Sequence, residues 1–201
     1  ILGIKHPLQY WLAGTFYVLT GPHRFHQMMC IPGPGRIQSL HPSFGCRKHR
    51  IGFAFARTYH PAMRFAGPIR AGLGIPTVFN VLGPLSHPGQ PRRQVIGAAD
   101  PDLADRMVEV FRVRGSEHSW VVTGDQDLDE LALTGPSRVL ELFGGQVREL
   151  TVDPRNLGLK VVDAASLAGG GPSENAAIAR AIFDGAETGP RRDIVALNAA
   201  A

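Results

Sequence analysis

The chain has 201 residues, 44% of them hydrophobic, enough for one globular domain with a genuine core. No run is long enough or apolar enough to span a membrane. A net charge of +4 and a pI near 9.5 would ordinarily point to acidic partners such as nucleic acid, but the charge is unevenly placed: residues 1–50 hold no Asp or Glu, and residues 51–201 carry fifteen basic and seventeen acidic groups, a formal −2.

Residues 1–50 are a compositional block of their own. Six basic residues (Lys5, Arg24, Arg36, Arg47, Lys48 and Arg50) are scattered rather than clustered, and five of the eight histidines fall here. A basic nucleic-acid arm would gather its charges. A targeting peptide would begin basic and leave through an A-x-A site, whereas YWLAGTFYVL follows His and Pro. Excess Pro, Gly, Arg, His and Ser without any acid fits a shifted reading frame or mis-joined exon better, so this block is expected not to be native-like. Cys30 and Cys46 form no disulfide framework and match no zinc spacing, which fits an intracellular protein and an expected place in the cytoplasm.

From Ile51 onward strands and helices alternate. IGFAFA has strand length, and a Pro-interrupted helix is expected from Pro61 to about Leu73, with Gly74 placed to stop it. RQVIGAA reads as a strand. Asp100 and Pro101 read as N-cap and first helical residue of a helix whose Leu103, Met107, Val110 and Phe111 share a face before Gly115 ends it. SWVVTG reads as a buried strand, and SRVLELF and QVRELTV flank Gly144-Gly145 as a hairpin. Ser173 is expected to cap a helix over ENAAIARAIFDG, and Asp193 to start a last one. The pattern implies an α/β fold, a mostly parallel sheet flanked by helices with one antiparallel hairpin.

Few residues can carry chemistry. Asp125, Asp127, Asp129 and Glu130 crowd four carboxylates into six positions just past a strand, where ligands gather in open α/β sheets. Adjacent carboxylates suit Mg²⁺, which takes hard oxygen ligands and keeps waters and substrate phosphates around it; spacing alone equally describes a solvated acidic turn. Arg70 could hold a carboxylate through a two-point fork, or be an ordinary surface arginine. Gly169-Gly170-Gly171 lacks the Lys-Ser/Thr of a phosphate loop and reads as a flexible lead-in to the next helix.

Three segments together, HPAMRFAGPIRAGLGIPTVFNVLGPLSHP (60–88), LDELALTGPSRV (128–139) and DIVALNAAA (193–201), resemble the anthranilate phosphoribosyltransferase family over residues 51–201, while residues 1–50 match nothing in it. The resemblance implies the α/β domain shared by nucleoside phosphorylases and phosphoribosyltransferases, and transfer of phosphoribosyl from phosphoribosyl pyrophosphate to anthranilate in tryptophan biosynthesis. By position, it assigns Asp129 and Glu130 to magnesium. Arg70 would hold the anthranilate carboxylate, His60 would line the same pocket, and Asn80, Gly83 and Pro84 would form its wall. Catalysis would rest on positioning and on neutralising the departing pyrophosphate.

The departures are as specific as the matches. The family's GTGGD pyrophosphate cradle and KHGN segment do not occur, and its N-terminal helical domain, which also forms the homodimer interface, is unmatched. The chain is accordingly expected to be inactive by itself. Thr123 stands where the family often has His, Asp127 where it usually has Gly, and Ser86-His87 where it has Thr-Asn. Two competing classes are a pyrimidine-nucleoside phosphorylase, which shares the fold, and a non-enzymatic nucleic-acid-binding relative, which the high pI favours.

Overall fold

A computed structural model describes residues 63–75, 82, 85 and 91–201 of the chain. Residues 1–50, the expected strand IGFAFA, and His60, Asn80, Gly83 and Pro84 lie outside the described residues. The chain divides between Gln94 and Val95 into two compact units. Helix α1 (Met63–Leu73) belongs to the first, and Pro68 sits inside it. Gly74 follows at φ 63, so a left-handed glycine ends α1 as its sequence requires. Phe65, Ile69 and Leu73 are all exposed along one side of α1.

From residue 93 onward four strands form one sheet in the order β1-β2-β3-β4: β1 (Arg93–Gly97), β2 (His118–Thr123), β3 (Ser137–Phe143) and β4 (Gln146–Val152). β1 and β2 run parallel, while β2–β3 and β3–β4 are antiparallel. Among the described residues the sheet is therefore mixed, with one parallel pair. Helix α2 (Pro101–Val113) makes the crossover that a parallel pair needs. Its start is the predicted one: the Asp100 carboxylate accepts from the Asp102 amide at 3.0 Å, and Pro101 occupies the first turn.

The buried face of α2 is Ala104, Met107, Val108 and Phe111, rotated from the expected stripe, so that Val110 is 37% exposed. Ala104 and Val108 fall between the larger residues at i, i+3, i+4 spacing, and their size lets the helix lie close to the sheet. The opposite face carries a core of Val122, Leu131, Leu133, Val139 and Leu197, with Trp120, Leu150 and Val162 packed against it. A strand covered on both faces needs apolar residues in succession, which explains Val121-Val122 in β2.

The hairpin turns at Gly144 and Gly145, with φ of 58 and 81, and its closing pair is Phe143 with Gln146. Two successive positive φ values suit the twist of the flanking strands and favour glycine at both sites.

Helix α3 (Pro172–Phe183) is capped by Gly171 rather than Ser173, which falls in the first turn and makes no capping bond. Pro172 supplies the helical φ one residue earlier and lacks only an amide the first turn leaves unpaired. The same pattern starts helix α4 (Pro190–Ala199) at Gly189-Pro190, three residues before the expected Asp193. Nor is the triple glycine loose: Asn175 Oδ1 accepts from the Gly170 amide and Asn175 Nδ2 donates to its carbonyl, both at 2.9 Å. No helix among the described residues is long and apolar enough to cross a membrane.

Candidate active site

The parallel strands β1 and β2 end side by side, and the acidic segment lies across their carboxyl ends. Thr123 Oγ1, buried at the end of β2, donates to the Ala98 carbonyl at 2.8 Å, and the Ala98 amide donates to the Val122 carbonyl at the same distance. These two bonds tie the strand ends together. Thr123 thus has a structural use at the position where the resemblance leads one to expect histidine.

A glycine ends β1 and another directly follows β2, and neither has room for a side chain. A Cβ on Gly97 would run into the backbone carbonyl of Asp129, and one on Gly124 would run into the carbonyl of Glu130. The Gly124 methyl would also meet Leu128 Cβ at 3.1 Å and Ala132 Cβ at 3.2 Å. Two glycines therefore let the Asp129-Glu130 backbone sit directly on the parallel pair.

Between them the chain makes a tight loop. The Gly124 amide donates to the Leu128 carbonyl at 2.7 Å, an isolated antiparallel bridge that closes the short loop over Asp125–Asp127. Gln126 and Asp127 both have φ of 58, a left-handed backbone that non-glycine residues adopt at a cost of about 1–2 kcal/mol each. The family's usual glycine at position 127 has a physical basis here. Asp125 does not join the pair: its carboxylate lies against Gly135, where a Cβ would meet the Asp125 carboxyl carbon at 2.8 Å.

Past the acidic pair the chain is anchored at three points. Asn198 on α4 pairs with both backbone groups of Leu131, the Ala132 amide donates to Ser137 Oγ at 2.9 Å, and the Val162 amide donates to the Leu133 carbonyl at 3.0 Å. Asp129 is exposed and Glu130 is partly buried. Burial is the main influence raising the Glu130 pKa above its ordinary value, and the negative charge of neighbouring Asp129 adds to it. Both influences penalise the ionised carboxylate, and a cation at this place would relieve them.

Among the described residues no cluster of three or more His, Cys, Asp and Glu side chains could hold a metal ion. A cation at Asp129 and Glu130 would take no more than these two carboxylates from the protein, a set that Mg²⁺ accepts where waters and substrate phosphates complete its octahedron. A separate cleft of about 290 Å³ is lined by Leu133, Leu159, Lys160, Val162, Pro190 and Asp193, and neither Asp129 nor Glu130 borders it.

Of the residues expected on the anthranilate side, Arg70 falls on α1. His60, Asn80, Gly83 and Pro84 are outside the described residues. Composition and spacing gave no role to Gly97, Gly124 or Ser137. Asn198 belonged to the quoted DIVALNAAA segment without an assignment.

A parallel pair that ends at an acidic, glycine-seated loop is a place where open α/β sheets bind ligands, and comparison gives the family. Residues 45–201 match the model of the "Glycosyl transferase family, a/b domain", and the chain belongs to that family. It is 50% identical over 152 residues to the anthranilate phosphoribosyltransferase of Roseiflexus castenholzii, covering 75% of this chain and 45% of that relative. The Chloroflexus aurantiacus enzyme of the same name is 47% identical over 156 residues, covering 77% and 46%.

Among solved structures, the anthranilate phosphoribosyltransferase of Thermus thermophilus superposes with a TM-score of 0.64 at 44% identity, over 74% of this chain and 43% of that one. The Saccharomyces cerevisiae enzyme in complex with PRPP and Mg superposes with a TM-score of 0.61 at 31% identity, over 70% and 41%. The chain spans a little under half the length of the relatives it matches.

Proposed function

We propose that this chain contributes the acidic side of the active site of an anthranilate phosphoribosyltransferase. Asp129 and Glu130 would hold the magnesium that accompanies phosphoribosyl pyrophosphate. The observation that carries this reading is the seating of their backbone on Gly97 and Gly124, at the carboxyl ends of the parallel pair. The identity of 44–50% to enzymes of that name and the likeness to a yeast structure holding PRPP and Mg support it.

In the reaction the anthranilate amine displaces pyrophosphate from C1 of the ribose. An aromatic amine needs no strong base for this, so the protein's task is placement and charge compensation. Bound magnesium would neutralise charge on the leaving pyrophosphate. Asp129 and Glu130 would fix where that charge is met. Arg70 and His60 would orient anthranilate, against a wall of Asn80, Gly83 and Pro84. Homodimer formation by the whole enzyme, through the family's helical domain rather than through residues 51–201, and a cytoplasmic setting belong to the same proposal.

The test is a chimera in which residues 45–201 replace the matching segment of the Roseiflexus castenholzii relative. It should consume anthranilate in the presence of PRPP and Mg²⁺, followed by loss of anthranilate fluorescence. Asp129→Ala with Glu130→Ala should remove most of that turnover while the protein stays folded. Phosphorolysis of pyrimidine nucleosides in place of anthranilate consumption would favour the phosphorylase reading.

A further inference from the structure

We propose that Asn198 is the positioning residue of the acidic pair, an inference that rests on Asp129 and Glu130 being the magnesium ligands. Asn198 Oδ1 accepts from the Leu131 amide at 2.8 Å, and Asn198 Nδ2 donates to the Leu131 carbonyl at 2.9 Å. Nδ2 also donates to the Ile194 carbonyl at 3.0 Å, one turn back on α4. One side chain, anchored to its own helix, thus takes up both backbone groups of a residue 67 positions away.

The Leu131 amide belongs to the peptide plane that carries the Glu130 carbonyl. That carbonyl is the group that leaves no room for a Cβ on Gly124. The Glu130–Leu131 peptide is therefore pinned by Asn198 at its amide and confined by Gly124 at its carbonyl. The Asp129 carbonyl, which belongs to the peptide plane on the other side of Glu130, lies against Gly97, so both planes flanking Glu130 are held and the direction of its Cα–Cβ bond is set between them. Leu131 and Leu197 are both buried beside the clamp, so water competes poorly for its bonds.

The residue type is demanding. Aspartate lacks the donors for the Leu131 and Ile194 carbonyls, and glutamine carries an extra methylene between backbone and amide. A latch serving only to dock α4 could act anywhere along the loop between β2 and β3. This one acts on the peptide that follows Glu130, which is where outer-shell support of a metal ligand has effect.

The experiment measures Mn²⁺ binding to the full chain by electron paramagnetic resonance, together with the melting temperature of each variant. Asn198→Ala should weaken Mn²⁺ binding about tenfold or more, the range that loss of outer-shell partners produces. Leu150→Ala, which thins the same core from β4 without bordering the clamp, should lower the melting temperature and leave Mn²⁺ affinity close to wild type. Wild-type affinity in Asn198→Ala, with binding abolished in Asp129→Ala/Glu130→Ala, would overturn the positioning role and leave the metal assignment standing. Mn²⁺ binding untouched by the Asp129/Glu130 double substitution would overturn both. Should Asn198→Ala fail to fold, amide exchange in the wild-type chain decides: saturating Mg²⁺ should slow exchange at Leu131 several-fold, because a metal gripping the pair and a clamp holding its peptide reinforce each other. Exchange at Leu131 that ignores Mg²⁺ would overturn the proposal.

Discussion

Gly97 and Asp129 are in contact through their backbones: the place where Gly97 would carry a Cβ is taken by the Asp129 carbonyl. The approach is set from both sides: Gly97 ends a paired strand, and the chain past Asp129 is anchored to Asn198, Ser137 and Val162. The same relation holds between Gly124 and Glu130. Gly97→Ala and Gly124→Ala should each cost at least about 2 kcal/mol, since a methyl forced against backbone cannot be absorbed by a side-chain rotation. Thermal denaturation measures the cost, and divalent-metal affinity should fall in both variants. A Gly97→Ala chain with wild-type melting temperature and wild-type metal affinity would show that the two backbones are not in contact.

Asp127 invites the opposite change. It holds a left-handed backbone and adds a negative charge two residues from Asp129. Asp127→Gly should relieve about 1 kcal/mol of backbone strain, offset in part by the greater freedom of glycine in the unfolded chain. We expect a melting temperature equal to or slightly above wild type. A clear drop would mean that the Asp127 carboxylate holds the loop together.

A second group of side chains gives the domain a pH dependence unrelated to the acidic pair. Glu141 on β3 is 5% exposed and accepts from Trp120 Nε1 at 3.0 Å, from Arg148 Nε, and from His118 Nε2 at 2.8 Å. Its pKa is lowered from 4.5 to about 2, first by the Trp120 bond, then by the Arg148 bond. A depressed folded-state pKa contributes stability in full above the unfolded value near 4.5, and that stability is lost as pH falls toward 2. With Arg148 itself 68% exposed and screened, the contribution is on the order of 2 kcal/mol. Chemical denaturation at pH 6 and pH 3 should show a smaller loss of stability on acidification for Glu141→Gln than for wild type. Equal losses would remove Glu141 from the account.

The α/β class, the Asp100 cap, the α2 and hairpin boundaries and the place of the acidic segment just past β2 were legible because each depends on short-range signals: a capping carboxylate, helical spacing, paired glycines, acids next to a strand end. Ser173 misled because a side chain able to cap competes with a Gly-Pro step that starts the helix earlier. The stripe on α2 was misplaced because Ala104 and Val108 bury by close approach rather than by size. Gly97, Gly124 and Asn198 were opaque for a different reason. Each acts on backbone brought near by the fold, over 32, 6 and 67 positions respectively, and nothing in a neighbouring residue reports it. The residues expected on the anthranilate side entered through family likeness, and of these Arg70 alone falls on a described helix.

The most direct test of the account titrates PRPP into the Roseiflexus chimera carrying residues 45–201, with and without Mg²⁺, by calorimetry. Magnesium should strengthen PRPP binding to the protein with Asp129 and Glu130 intact, and that strengthening should disappear in Asp129→Asn/Glu130→Gln, which keeps the shape of both side chains. The predicted result is thus affinity for PRPP that depends on Mg²⁺ only when both carboxylates are present. Equal dependence on Mg²⁺ in the two proteins would contradict the assignment of Asp129 and Glu130 as the magnesium ligands.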